Sequence, residues 1–508
     1  MTDCYYLGIG GTGSKCVDSY IYTCAAGLGP DNLWIGMVDQ DEGNGNVEKA
    51  KINIENYQSV RKLLRSPGLN DISKKIDIFK TNIVTPPGQS NWAPLRDTGS
   101  TKPTLKSIFD FNALKEEMQD VINCLYHPEE ELMLELDEGF RGRPSIGASA
   151  ILSRVQENEP FWQNIFNSID SAKGGKQVRI FLVSSIFGGT GASGFPSIAR
   201  LIRGILDKKG IKDGVHIGGA LLLPYFSFPK PPEDEIGVVA YSESFLEQTR
   251  GALDYYNRLF EKEKIKTFDQ LYLVGWDPLI PLKNFEKGGP NQNNPALLPE
   301  IFTALAASKF YTDPQIKDGI YHIARNDEDS FGWQDLPTID DNDNKIVKKN
   351  IAQFTRTALA YREIYYPFLT EKSKKAKNES WLRNTILRQG ITLNDETDMQ
   401  FTNILYYFES FLEWIATMVH YSNEGIKNGI DLVDVNQFSQ FDSTHVENGV
   451  SLSEKLRDQQ LKQFGNIIAD TKSGNLTKVF LRMNYATVPK DRAGIGSFIG
   501  ALYESCKL

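Results

Sequence analysis

The chain has 508 residues, enough at roughly 150 per domain for about three compact units, and far too many for a mini-protein stapled by disulfides. Apolar residues make up 40% and charged residues 24%, the composition of an ordinary folded globular protein and not of a collagenous or disordered one. Lys and Arg number 56 against 65 Asp and Glu, and the net charge of −9 argues against a direct nucleic-acid partner or adhesion to an anionic membrane.

No stretch reaches the roughly 18 uninterrupted apolar residues of a membrane span. The opening Met-Thr-Asp-Cys places no basic region before an apolar run, so the expected address is cytoplasmic. Cys4, Cys16, Cys24, Cys124 and Cys506 lack C-x-x-C spacing and read as ordinary buried thiols. The five histidines stand singly, so no metal site built from protein side chains alone is expected.

In chain order, residues 4–9 read as a buried strand, followed by a glycine cluster, a helix from Gly13 to about Ala26, and a second apolar run over 33–38 that ends in Asp39. Strand, glycine turn, helix and strand within about 35 residues open a doubly wound α/β domain with a mainly parallel sheet. The alternation continues with apolar runs at 178–184, 215–223 and 268–274, separated by helices over 196–206 and 244–260. Residues 50–138, with loop signals at Thr85–Gly88 and Thr98–Pro103, read as an elaboration on the sheet. A helical run lies near 296–310. Beyond it come acidic, turn-rich stretches at 327–329 and 340–343, and then mostly helical segments. In 401–420, Ile404, Leu405, Phe408, Phe411, Leu412 and Ile415 share one helical face and read as core.

Two glycine clusters carry the functional signal. Gly8-Ile9-Gly10-Gly11-Thr12-Gly13-Ser14 lies between a strand and a helix, where glycine permits a tight turn and the unpaired N–H groups of a helix start attract phosphate. Asp39-Gln40-Asp41 ends the second strand, and Asp39, 26 residues after Gly13, suits a ribose hydroxyl or a bound magnesium. The alternative is a tight packing turn with surface acids. The second cluster, Gly188-Gly189-Thr190-Gly191-Ala192-Ser193-Gly194, again follows a strand and precedes a helix expected to begin near Phe195-Pro196. A third loop, Gly139 to Gly147, carries Arg141, Gly142 and Arg143, and an arginine here either reaches a terminal phosphate or serves an ordinary basic loop.

These residues resemble the tubulin and FtsZ superfamily, specifically its divergent bacterial tubulin-like members, over roughly residues 1–312. Gly188–Gly194 with Pro196 resembles the signature that wraps the nucleotide phosphates. Gly8–Ser14 is similar to the first phosphate loop, Asp39-Gln40-Asp41 to the second, and Arg141–Gly147 to the loop that senses the terminal phosphate. The resemblance places Trp276, followed by Asp277, where the family has a base-contacting asparagine, and Asn294 at the base-reading start of the central helix. Phe187 and Ser193 replace glycines of the signature. The family hydrolyses GTP when an acidic loop of one subunit completes the site of the next. The N-x-D-x-x-D pattern of that loop is missing, and Asp335 in Phe331–Asp335 is the nearest acid, either acting in trans or lying in a solvated turn.

The resemblance thus implies a Rossmann-like doubly wound parallel sheet, a tubulin-type nucleotide-binding domain over 1–312 and a mainly helical region over 313–508. It implies GTP or GDP as ligand, with ATP as the other nucleotide, together with Mg2+. It also implies a GTPase whose nucleotide state controls a dimer, a filament or a protein partner in a cytoskeletal, partitioning or phage-conflict role. Three other readings stand beside it. An ATP-dependent adenylating enzyme accounts for Gly8–Ser14 and the acids at 39 and 41 but gives no role to Gly188–Gly194. A nicotinamide-dependent oxidoreductase shares that weakness, and a scaffold could bind nucleotide without turnover.

Overall fold

The computed structural model describes residues 2–65, 76–88, 90–96, 102–136, 139–140, 143–229, 242–262, 266–282, 289–325, 330–370, 379–423, 429–434, 476–486 and 494–507. Its centre is an eight-stranded sheet in which every pairing is parallel. The strands are β1 (Thr2–Ile9), β2 (Asn32–Val38), β3 (Asn82–Val84), β4 (Asn91–Trp92), β5 (Gln177–Ser185), β6 (Val215–Leu222), β7 (Gln270–Trp276) and β8 (Gly319–Arg325). Their order is β8-β7-β6-β5-β1-β2-β3, with β4 also on β2.

Helices cover both faces, so the strands are continuous apolar runs whose alternate residues feed two cores. Cys4 and Tyr6 of β1 point into one core, and Tyr5, Leu7 and Ile9 into the other. On the first face lie α1 (Gly10–Ala25), α2 (Gly45–Leu64) and α6 (Leu298–Thr312). On the second lie α3 (Pro144–Arg154) and α4 (Gly189–Lys209), while α5 (Ser242–Lys262) precedes β7.

The C-terminal region is mainly helical, with α7 (Ile346–Ala360) and α8 (Asp395–Ser422) its longest described elements. It shares the first core. Tyr22 of α1 packs on Tyr407, Phe411 and Trp414 of α8, and the Trp414 indole N–H donates to Ser19 Oγ at 3.2 Å. The apolar stripe expected over 401–420 is buried along its length. The sheet itself runs past residue 312, because β8 follows α6 and pairs with β7.

Two helix starts differ from the sequence expectation. α1 begins at Gly10, not Gly13, and α4 begins at Gly189, not near Phe195. The glycines are therefore the first turns of the helices. Pro196 lies inside α4, where its ring nitrogen leaves the carbonyl of Ala192 without its helical donor. Tyr256 of α5 supplies the missing bond, its hydroxyl donating to Ala192 O at 2.7 Å. Four cysteines are buried thiols as expected, but Cys124 is exposed. Among the described residues no helix is long and apolar enough to cross a membrane.

Candidate functional site

β1 and β5 are neighbours, and the chain leaves them toward opposite faces of the sheet, into α1 and α4. This is the switch point of a doubly wound sheet, where a crevice opens beyond the carboxyl ends of the strands. The two helix starts touch there. Gly10 sits at φ +76°, and a Cβ on it would lie 3.1 Å from Gly191 N, so the two main chains approach as only glycine allows. Ser184 Oγ donates to Ile9 O at 2.9 Å and ties the end of β5 to the end of β1.

Neither helix start has a side-chain cap or an acid in its first turn. The leading N–H groups of two helices, Gly10 to Thr12 and Gly189 to Gly191, are thus aimed at one crevice together with both positive dipole ends, while Ala192 N already donates to Gly188 O at 2.8 Å. Such a pair of termini attracts a polyanion.

The acidic loop after β2 closes one side. Thr190 Oγ1 donates to Asp39 Oδ1 at 3.2 Å. Burial, and then the nearby Asp41 carboxylate, push the Asp39 carboxyl up to about 7. Among the described residues no cation pairs with either acid, so this corner carries uncompensated negative charge suited to a divalent ion that keeps most of its ligands as water or phosphate. Among the described residues no group of three or more His, Cys, Asp or Glu side chains is placed so that it could hold a metal ion. Asn91 grips the main chain of Asp39 at both polar groups, accepting from its N–H at 3.0 Å and donating to its carbonyl at 3.1 Å. The Gln40 side chain is occupied by Leu95 N at 2.9 Å.

Opposite α1 lies the segment before α6. Gly289 N donates to Asp41 Oδ2 at 2.7 Å, Gly45 N donates to Gly289 O at 3.1 Å, and Asn294 N donates to Asn46 Oδ1 at 3.1 Å. Asn44 Nδ2 donates to Gln292 Oε1, and both side chains hang over Gly11, whose Cβ would stand 3.2 Å from Asn44 Nδ2 and 3.3 Å from Gln292 Oε1. Behind α1, Lys15 Nζ pairs with Glu300 at 2.6 Å in the core, and Glu300 also accepts from the Tyr225 hydroxyl at 3.0 Å.

Of the residues singled out in the sequence, Gly10, Gly11, Thr12, Gly13, Asp39, Gln40, Asp41, Gly188, Gly189, Thr190, Gly191 and Asn294 therefore gather around this crevice. Ala192 and Ser193 follow in α4, but Ser193 Oγ turns back to Gly189 O and Thr190 O at 2.8 and 3.0 Å. Arg143 pairs with Glu131 at 3.4 Å, while Arg141 and Gly142 lie outside the described residues. Trp276 is buried, with ring contacts to Phe302, Phe331 and Arg325, none of them a loop residue; Asp277 beside it is exposed. Asp335 caps its own turn, accepting from Gly332 N at 2.7 Å. Sequence reasoning missed Asn44, Asn46, Gln292, Asn91 and Lys15. The only signals were a Gly-Asn-Gly-Asn turn directly after the acidic loop and a run of amides over 291–294.

Residues 124–246, a stretch holding both the 139–147 and the 188–194 loops, match the family model described as tubulin like. Among solved structures, CetZ from Methanosaeta thermophila strain DSM 6194 is similar at 14% identity and a TM-score of 0.22, over 54% of this chain and 46% of that one. The chain thus spans under half the length of that protein. No curated protein matches the sequence.

Proposed function

Taking this as a tubulin-like chain, we propose that it binds a guanine nucleotide with Mg2+ at the crevice between α1 and α4, and that the bound nucleotide governs its assembly with itself or a partner. The observation that carries the reading is the meeting of Gly10 with Gly191, two uncapped helix starts in main-chain contact at the switch point. The N–H groups of both first turns bind phosphate oxygens, and the Thr190 hydroxyl orients Asp39. Asp39 and Asp41 are the residues that would hold the magnesium ion, which when bound neutralises phosphate charge. Asn44 and Gln292, over Gly11, wall the site toward Asn294 and exclude water from the phosphates.

The reaction supported is hydrolysis of the terminal phosphoanhydride by water. The isolated chain turns over slowly, because Asp335 is engaged in its own turn and Arg143 in an ion pair with Glu131. Activation then awaits a group supplied by another molecule.

Calorimetry with GTP and with ATP, magnesium present, tests the site. A Cβ on Gly11 meets only the ends of two flexible side chains, so Gly11→Val keeps the fold and fills the cradle. The expected result is magnesium-dependent binding of GTP ahead of ATP, weakened at least about tenfold, or about 1.4 kcal/mol, in Gly11→Val. Absence of binding to either nucleotide, or a Gly11→Val affinity equal to wild type, would overturn the assignment.

A further inference from the structure

Among the described residues one edge of the sheet is unclaimed. Among those residues β8 is the last strand in the order and pairs only with β7. Gly319 N donates to Asp269 O at 3.0 Å, which fixes the pleat: residues 319, 321, 323 and 325 turn their main-chain groups toward β7, and Ile320, His322 and Ala324 turn theirs outward. Those three residues are exposed, Ile320 at 60%, and among the described residues no main-chain partner meets their N–H and C=O groups. Soluble proteins protect such an edge with lysine, proline, a bulge or a covering element. The strand Gly-Ile-Tyr-His-Ile-Ala-Arg has no lysine, no proline and no bulge in its register with β7.

We propose that β8 pairs antiparallel with β8 of a second copy of this chain, about a two-fold axis through His322. The sequence is self-complementary in that register. His322 meets the partner's His322, Ile320 meets the partner's Ala324, and Tyr321 meets the partner's Ile323. The outward residues 320, 322 and 324 all fall at hydrogen-bonded positions, where each opposed pair exchanges two N–H···O bonds. Tyr321 and Ile323 fall at the closer, non-bonded positions, where an aromatic and a β-branched side chain pack well. A two-fold arrangement uses the same edge on both copies and closes, so it yields a dimer and no open chain. The edge contains no residue of either glycine loop, so the dimer goes beyond the nucleotide reading and stands without it.

Sedimentation and light scattering on the full chain, without nucleotide, test the edge. The wild type is expected to be a dimer at high micromolar concentration. His322→Pro removes an outward N–H that the monomer does not use, so the fold is kept, with an unchanged melting temperature, while the dimer is lost. In a Cys124→Ser background, His322→Cys places two thiols on residues whose Cα atoms lie about 5.5 Å apart in a hydrogen-bonded pair, within disulfide reach, and an inter-chain bond forms on mild oxidation. Ala324→Cys, four residues out of register with its own copy, does not cross-link. A monomeric wild type, a dimer that survives His322→Pro, or equal cross-linking at 322 and 324 would each overturn the proposal. Nucleotide binding measured on the same samples reports separately on the crevice.

Discussion

The Tyr256 hydroxyl stands in for a backbone N–H: it donates 2.7 Å to the carbonyl of Ala192, the group that Pro196 leaves unanswered in the second turn of α4. Tyr256→Phe leaves that carbonyl buried without a donor, at a cost of about 1–3 kcal/mol. Urea denaturation should show a lowered midpoint with an unchanged slope. Nucleotide affinity should fall as well, because Ala192 adjoins the first turn of the helix. A midpoint equal to wild type would remove the hydroxyl from this role.

Asp39 makes the unliganded protein sensitive to pH. Burial pushes its folded carboxyl up to about 7 from the ordinary aspartate value of 3.8, so between those values the folded state holds a proton that the unfolded state has released. Stability therefore falls as pH rises from about 4 to about 7, at up to roughly 1.4 kcal/mol per unit, and levels off above. Asp39→Asn should flatten that part of the curve of melting temperature against pH. A variant curve parallel to wild type through this range would show that another group is responsible.

Two glycines two residues apart, Gly11 and Gly13, should part company. A Cβ on Gly13 would lie 2.8 Å from the Gly8 carbonyl carbon and 2.9 Å from Val183 O, both main chain, so Gly13→Ala forces α1 off the sheet and costs about 1–3 kcal/mol. Gly11→Ala meets only side-chain ends and keeps or raises the melting temperature while weakening nucleotide binding. Equal melting temperatures for the two variants would contradict this packing.

Lys15 and Glu300 form an ion pair only 6% and 1% exposed. Lys15→Met strands a buried carboxylate and should cost about 3–5 kcal/mol, and adding Glu300→Gln should restore part of it. Chemical denaturation of the two single variants and the double closes the cycle. A double variant as unstable as the two singles added together would mean that the charges are not coupled.

The strand-glycine-helix units were legible because apolar runs and glycine clusters alternate, and the parallel sheet follows from them, while the C-terminal helices were legible from their own apolar periodicity, as over 401–420. The helix starts were less so. Glycine is a poor helix former, so the clusters read as loops, yet in a first turn a main chain without a side chain costs little, and only Gly10 takes a positive φ. Trp276 was legible as an aromatic ending a strand, but which face it would join is a tertiary fact, and it went to the core beside Phe302. Gln292 and Asn44 are 248 residues apart, and no local pattern in either segment announces the other.

The grip of Asn91 on Asp39 divides the crevice into a fixed jaw and a latch. Asn91 answers both main-chain polar groups of Asp39 as a neighbouring strand would, so the acid is anchored to the sheet and cannot travel with a ligand. The facing segment, 289–294, is fastened to that jaw through Asp41, Asn44, Gly45 and Asn46, all of which lie within six residues of one another. On the proposed nucleotide reading, entry to the crevice is a matter of undoing one short seam while the two helix starts and the acidic wall stay where folding put them.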